Sequence, residues 1–308
     1  MKNLVTHLKL LMVAAIWGAG WVAGRVISTG IPPITGAWIR YVVAVLCFLI
    51  WMKIAGLFVL PTKGEWKRIW WIGFFSTFVY QVFFMFGMKY TAAGDASLMI
   101  TFNPLFTALL AIPFLGEKVD KRLFWGLILA VIGVVVLFFH SPNIDIPAWS
   151  RTLGDVLIML AALSWASSTI LMKKAMASPA IDAEEPLTPL GLTVWASAVG
   201  LAILSPWAAI ETYQFGLPEI SNKVWFSILF LAILSTVLAY VWFAEGIKAI
   251  GAGKAALYVY LVPLFGIITG WLLIDEKLGW SLLVAFILIV GGVALAQSEK
   301  GDEAGASG

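Results

Sequence analysis

Residues 76–106 read STFVYQVFFMFGMKYTAAGDASLMITFNPLF, and residues 235–265 read STVLAYVWFAEGIKAIGAGKAALYVYLVPLF. Sliding the chain by 159 positions superposes the two stretches without a gap. Ser76, Thr77, Val82, Phe84, Gly87 and Lys89 then meet Ser235, Thr236, Val241, Phe243, Gly246 and Lys248. Ala93, Gly94, Ala96, Leu98, Pro104, Leu105 and Phe106 meet Ala252, Gly253, Ala255, Leu257, Pro263, Leu264 and Phe265, and Glu117, Lys118 and Gly133 meet Glu276, Lys277 and Gly292. At a shift of 148, Ala14, Trp17 and Arg25 meet Ala162, Trp165 and Lys173. The chain is two copies of one unit, and its first apolar segment belongs to the first copy. That segment follows a charged start, as in a signal peptide, but membership of the repeat argues that it is retained.

Around this repeat the chain is 61% hydrophobic and only 12% charged, against about 25% charged in soluble domains. Water is therefore not its main solvent. Segments long enough to cross a hydrocarbon core, about 20 residues, fall near 8–27, 34–52, 69–88, 95–115, 122–140, 154–172, 190–210, 224–247, 254–274 and 279–297. Within a bilayer each backbone polar group needs an internal partner, and these runs lack strand alternation, so they are helices. The expected fold is all-α, with ten spans. The copies run over 1–140 and 154–297, with a loop at 141–153 and a disordered cytoplasmic tail at 298–308. Sixteen Trp and twenty Phe suit either interfacial belts or an aromatic cavity. Lone Cys47 forms no internal disulfide.

Five spans per copy is an odd number, so the second copy starts on the opposite side from the first and the repeats are inverted. Many secondary transporters have this architecture, with substrate held near the midplane between the copies. Fourteen Lys and Arg fall on one side, from Lys2 and Lys9 to Lys254 and Lys300. The other side holds Arg25, Lys89, Arg151, Lys223 and Lys277, so the positive-inside rule puts both termini in the cytoplasm of a multi-pass protein of a bacterial inner membrane. With a net charge of +3 spread over loops, no nucleic-acid partner is expected. The expected partners are the lipid bilayer and a small-molecule substrate, while oligomeric state stays open.

Trp17-Gly18, Arg40 in the second span, Tyr90-Thr91-Ala92-Ala93-Gly94 leading to Pro104-Leu105, Leu115-Gly116-Glu117-Lys118, and the echo from Pro263-Leu264 to Glu276-Lys277 resemble the EamA-type drug/metabolite transporters, nearest to their bacterial amino-acid exporters. The resemblance spans nearly the whole chain and rests on the order and spacing of individually weak motifs. It implies ten helices, a cytoplasmic N-terminus and export of metabolites or amino acids, including aromatic ones.

Met99, Phe102, Asn103 and Phe106 share one helical face through their i, i+3, i+4, i+7 spacing, and their repeat partners are Tyr258, Leu261, Val262 and Phe265. Facing each other across the repeat axis, they would wall an amphipathic site; helix packing or lipid contact is the bland alternative. Tyr80, Gln81 and Phe84 on the third span, Trp17 on the first, and Trp165 with Ser168 on the sixth complete the candidate substrate-binding set. A buried Trp or Tyr needs a hydrogen-bond partner, which a substrate can supply. Pro104 and Pro263 occupy matched mid-helix positions, where proline frees an upstream carbonyl and kinks the chain, so both are candidate hinges. Arg40 is grouped with them as structural, with substrate contact, carbonyl capping and snorkelling all open. Glu245 can pair with Lys248 along its helix, and Glu117 and Glu276 read as gate or loop anchors.

Residues 8–27 contain no Asp or Glu, so strong ion coupling is not expected; a proton-coupled multidrug or cation exporter is the rival. A channel and a membrane-embedded enzyme are further alternatives. The enzyme finds no G-x-S-x-G or H-E-x-x-H, no catalytic set and no metal or cofactor ligands.

Overall fold

The computed structural model describes residues 2–116, 121–143, 145–177, 180, 182 and 187–297. Glu117 and the tail from 298 lie outside the described residues. Among the described residues ten helices are long and apolar enough to cross a membrane: α1 Leu4–Gly30, α2 Pro33–Ile54, α3 Lys63–Tyr90, α4 Ala93–Leu115, α5 Lys121–His140, α6 Ala148–Ala177, α7 Pro189–Phe215, α8 Asn222–Ile250, α9 Lys254–Ile274 and α10 Trp280–Gln297. Several outrun the expected spans. The interval expected to be a loop at 141–153 is shorter than that, because α6 already begins at Ala148. The connections at 31–32, 91–92, 141–147, 216–221 and 275–279 lie on what we call the distal face; the first helix starts on the opposite, terminal face.

Repeat-matched positions break the α-helix in the same way. A π segment occupies Phe74–Val79 in α3 and another Phe230–Leu238 in α8. In α4 the chain runs as Ala93–Met99, tightens to a 3₁₀ turn at Ile100–Phe102, and resumes at Asn103–Leu115. In α9 a turn at Tyr260–Leu261 separates a segment ending at Val259 from Val262–Ile274. Each break directly precedes Pro104 or Pro263, whose ring can neither donate to the carbonyl four residues back nor clear it. The carbonyl of Ile100 does not stay free, as the hinge reading expects: it accepts the Asn103 N–H in the 3₁₀ turn.

The first segment of α4 is fully enclosed and packs against the second segment of α9 near the distal face. The other two segments, nearer the terminal face, share at most a marginal contact. The bundle is thus closed distally and splayed terminally. Exposed Trp66, Trp70, Trp125, Trp149 and Trp280 lie toward helix ends, whereas Trp17, Trp21 and Trp165 turn inward and line a cavity.

The helices α5 and α10 cross at glycines: a Cβ on Gly126 would collide with the Gly292 carbonyl oxygen, and one on Gly292 with that of Gly126. Without a hydrophobic force between helices in lipid, such close approach is what holds them. Gly126→Val is expected to cost about 1–3 kcal/mol through overpacking and to lower the thermal unfolding midpoint. Gly291→Ala, whose new methyl meets nothing within 4 Å, is expected to be neutral or stabilising.

Candidate functional site

A cavity of about 380 Å³ lies at the helix breaks, between the two copies. Six repeat-matched pairs face it: Trp17 with Trp165, Phe84 with Phe243, Ile100 with Val259, Thr101 with Tyr260, Asn103 with Val262, and Pro104 with Pro263. The residues that line the cavity differ from those expected on the two faces: only Asn103 and its counterpart Val262 belong to both sets. Met99 and Phe102 are fully buried in the core and Phe106 packs against it, while Ile100 and Thr101, on another side of the same helix, face the cavity.

The remaining wall is aromatic and polar. Trp17, Trp21, Tyr80, Phe84 and Trp165 line it, with Arg40, Tyr41, Thr236, Tyr240 and Phe243. The Trp17 indole N–H donates to the Ser235 carbonyl at 3.0 Å, an acceptor within the π segment, and its ring meets Tyr240 and Phe243. Tyr80 stacks on Phe84 and meets Trp165 edge-on. The Asn103 amide oxygen accepts from the Thr107 hydroxyl at 3.2 Å.

Four expected members lie elsewhere. Met99 is in the core; Ser168 donates to the carbonyl of Trp165 on its own helix; Tyr258 reaches His7 at 2.6 Å, away from the cavity. Gln81 stands behind the wall, completely buried, accepting from Arg40 at 3.4 Å and donating to the Tyr41 hydroxyl at 3.4 Å. Tyr41, Thr236, Tyr240 and Tyr260 were not foreseen. Three had a signal in the repeat: Tyr240 is the counterpart of Gln81, Thr236 of Thr77 and Tyr260 of Thr101.

Arg40 does not snorkel or cap carbonyls. It is 8% exposed, among the described residues reaches only neutral partners in Gln81 and the Thr236 hydroxyl at 3.2 Å, and lies over the rings of Tyr41 and Phe84. Its Nε finds no acceptor.

Above the cavity, a buried polar network closes the distal face. Asp95 in α4 accepts from Ser141 at 2.7 Å and Asn143 at 3.3 Å, with Arg151 of α6 at 3.9 Å. Arg151 also donates to the carbonyls of Asn143 and Phe138, and Thr91 donates to buried Asp155. Arg25 of α1 donates to the carbonyls of Met88 and Thr91. Glu276, beyond the end of α9, accepts the N–H groups of Ala93 at 2.6 Å and Gly94 at 2.9 Å, capping α4, with Arg25 at 4.0 Å. Its reading as a gate or loop anchor thus acquires a geometry. On the terminal face Glu245 pairs with Lys9 at 2.7 Å, not with Lys248: the partner is an α1 side chain that the helical spacing did not reveal.

The sequence profile described as the EamA-like transporter family matches residues 5–139 and 152–297, one match for each copy. The uncharacterized transporter YyaM of Bacillus subtilis (strain 168) is 26% identical over 299 residues, covering 95% of both chains. A probable amino-acid metabolite efflux pump of Escherichia coli (strain K12) is 26% identical over 291 residues, covering 92% of this chain and 91% of its own. A crystal structure 19% identical over 96% of each chain aligns with a TM-score of 0.63, a likeness of fold.

Proposed function

Because the chain belongs to the EamA-like transporter family, we propose that it is a secondary carrier exporting small amphipathic metabolites, amino acids including aromatic ones among them, by alternating access between inverted halves. The observation that carries this is the cavity at the repeat-matched breaks, sealed distally and splayed terminally. A site at the interface of repeats, walled by discontinuous helices, is what a rocking mechanism uses. Exchange of the two copies' conformations would bring the other pair of segments together and open the distal side. Amino-acid export draws support from the efflux pump named above. The Lys and Arg distribution supports a bacterial inner-membrane setting with cytoplasmic termini, so the structure corresponds to the inward-facing state.

Ion coupling is weak or absent in this reading: no Asp or Glu lines the cavity among the described residues. Uptake of radiolabelled L-phenylalanine into proteoliposomes is the test. Saturable flux, stimulated by unlabelled phenylalanine on the opposite side and independent of imposed pH or sodium gradients, is expected. Strict dependence on a gradient refutes the uncoupled mechanism, and unsaturable flux refutes a carrier. Trp17→Ala, Trp165→Ala and Asn103→Ala are expected to reduce flux at least about tenfold, the equivalent of about 1.4 kcal/mol each. Tyr258→Ala, which leaves the cavity intact, is expected to transport normally.

A further inference from the structure

We propose that Arg40 is the anchor for a substrate carboxylate, and that the cavity selects aromatic or apolar monocarboxylates whether or not they carry an amino group. This rests on the cavity being the transport site, but narrows what it takes.

A guanidinium stays charged in any protein environment. Leaving that charge buried without a counter-ion is costly, because its desolvation is repaid only by good partners. Among the described residues Arg40 forms no ion pair, and its protein acceptors are one amide and one hydroxyl. Those acceptors come from α3 and α8, one in each copy, and the Tyr41 and Phe84 rings flank the charge. The guanidinium is thus held in place by neutral groups and left short of an anion, at the wall of a cavity large enough for a small aromatic molecule.

The other polar groups lean the same way. The one Thr107 hydroxyl proton lies between the Asn103 backbone carbonyl at 2.9 Å and its amide oxygen at 3.2 Å, and Asn103 keeps its amide N–H groups to offer. Thr236 donates its own proton to the Leu231 carbonyl at 2.7 Å, so toward Arg40 it acts only as an acceptor. For an ammonium, by contrast, the described lining holds no carboxylate, and only the weaker attraction of ring faces remains. A buried charge pair is worth more, since losing one partner weakens binding by about thirtyfold or more. The carboxylate therefore dominates recognition and the amino group contributes little.

Three probes with one phenyl-ethyl body separate the charges: 3-phenylpropanoate, L-phenylalanine and 2-phenylethylamine, titrated calorimetrically against the purified full chain at neutral pH. In the wild-type protein the acid and the amino acid are expected to bind within about threefold of each other and the amine at least about tenfold more weakly. Arg40→Gln is expected to weaken the acid and the amino acid by about thirtyfold or more while leaving the amine unchanged. Arg40→Lys should keep the order of preference with lower affinity, having a charge but no bidentate fork. Equal binding of amine and acid by the wild type overturns the proposal, as does phenylalanine binding at least about tenfold tighter than the acid. The wild-type series decides even if Arg40→Gln fails to fold. Counterflow separates the two levels: probes that bind in the expected order but do not exchange across proteoliposomes refute the carrier and leave the anion site standing. Exchange of the amine alone leaves the carrier and removes the anion site.

Discussion

Arg151→Leu is expected to destabilise the fold by about 3–5 kcal/mol, the cost of stranding a buried charge by deleting its partner. Asp95 is wholly enclosed, and among the described residues Arg151 is its one cationic neighbour within 4 Å. The leucine also abandons the carbonyls of Asn143 and Phe138, and Asp155 lies in the same network with one carboxylate oxygen already unpartnered. The reverse change, Asp95→Leu, strands the arginine and the Ser141 and Asn143 donors and is expected to cost about as much. The double variant Asp95→Leu/Arg151→Leu should recover a large part of the loss, because buried ion pairs replaced together by apolar groups are often nearly neutral. Unfolding midpoints of the four proteins in one detergent form the cycle. If the double variant is as unstable as the sum of the single ones, the pair is not coupled and the network does not hold the distal end.

The ten spans and the division into two copies were legible because lipid forces helicity and hydropathy alone marks the helices. The matched prolines also pointed to the helix breaks. Which face walls the cavity was not legible: a face through Met99, Phe102, Asn103 and Phe106 and one through Ile100, Thr101, Asn103 and Pro104 are equally regular, and in an apolar span hydropathy does not choose between them. Tyr258 was expected inside for the same reason, since its counterpart is Met99 and the neighbours that line the cavity are Val259 and Tyr260. Arg40 was visible as a charge within a span, yet its role depends on the absence of acidic partners, which only three-dimensional neighbours reveal. Asp95 and Asp155 went unused in the sequence reading because an acid was sought inside the first span. Both lie near the distal ends of α4 and α6, where they close the bundle and do not line the cavity.

The distal closure turns on Glu276, and Glu276→Ala is expected to shift the protein toward the distally open state by about tenfold or more. Its carboxylate accepts the first two N–H groups of the enclosed α4 segment, donors that a helix start cannot satisfy internally. Alanine leaves both unpaired when the gate is shut, at about 1–3 kcal/mol for each buried donor, whereas in the open state water can reach them. Burial pushes the Glu276 carboxyl above its ordinary value of 4.5, outweighing the Gly94 and Ala93 N–H groups and Arg25, which pull it down. The acceptor oxygens therefore matter more than the charge, and Glu276→Gln, which keeps one, should open the gate far less than alanine. The same balance sets the sign with pH. A carboxyl whose value is raised in the closed state favours closure most fully below 4.5, and that contribution fades as pH rises through the higher closed-state value. The measurement is labelling of a Thr101→Cys probe, in a Cys47→Ala background, by a membrane-impermeant thiol reagent applied from the distal side. Faster labelling in Glu276→Ala, near wild-type labelling in Glu276→Gln, and slower labelling at acid pH in the wild type after correction for thiolate content are expected. Equal labelling in all three proteins would mean that the cap on α4 holds the helix but does not hold the gate.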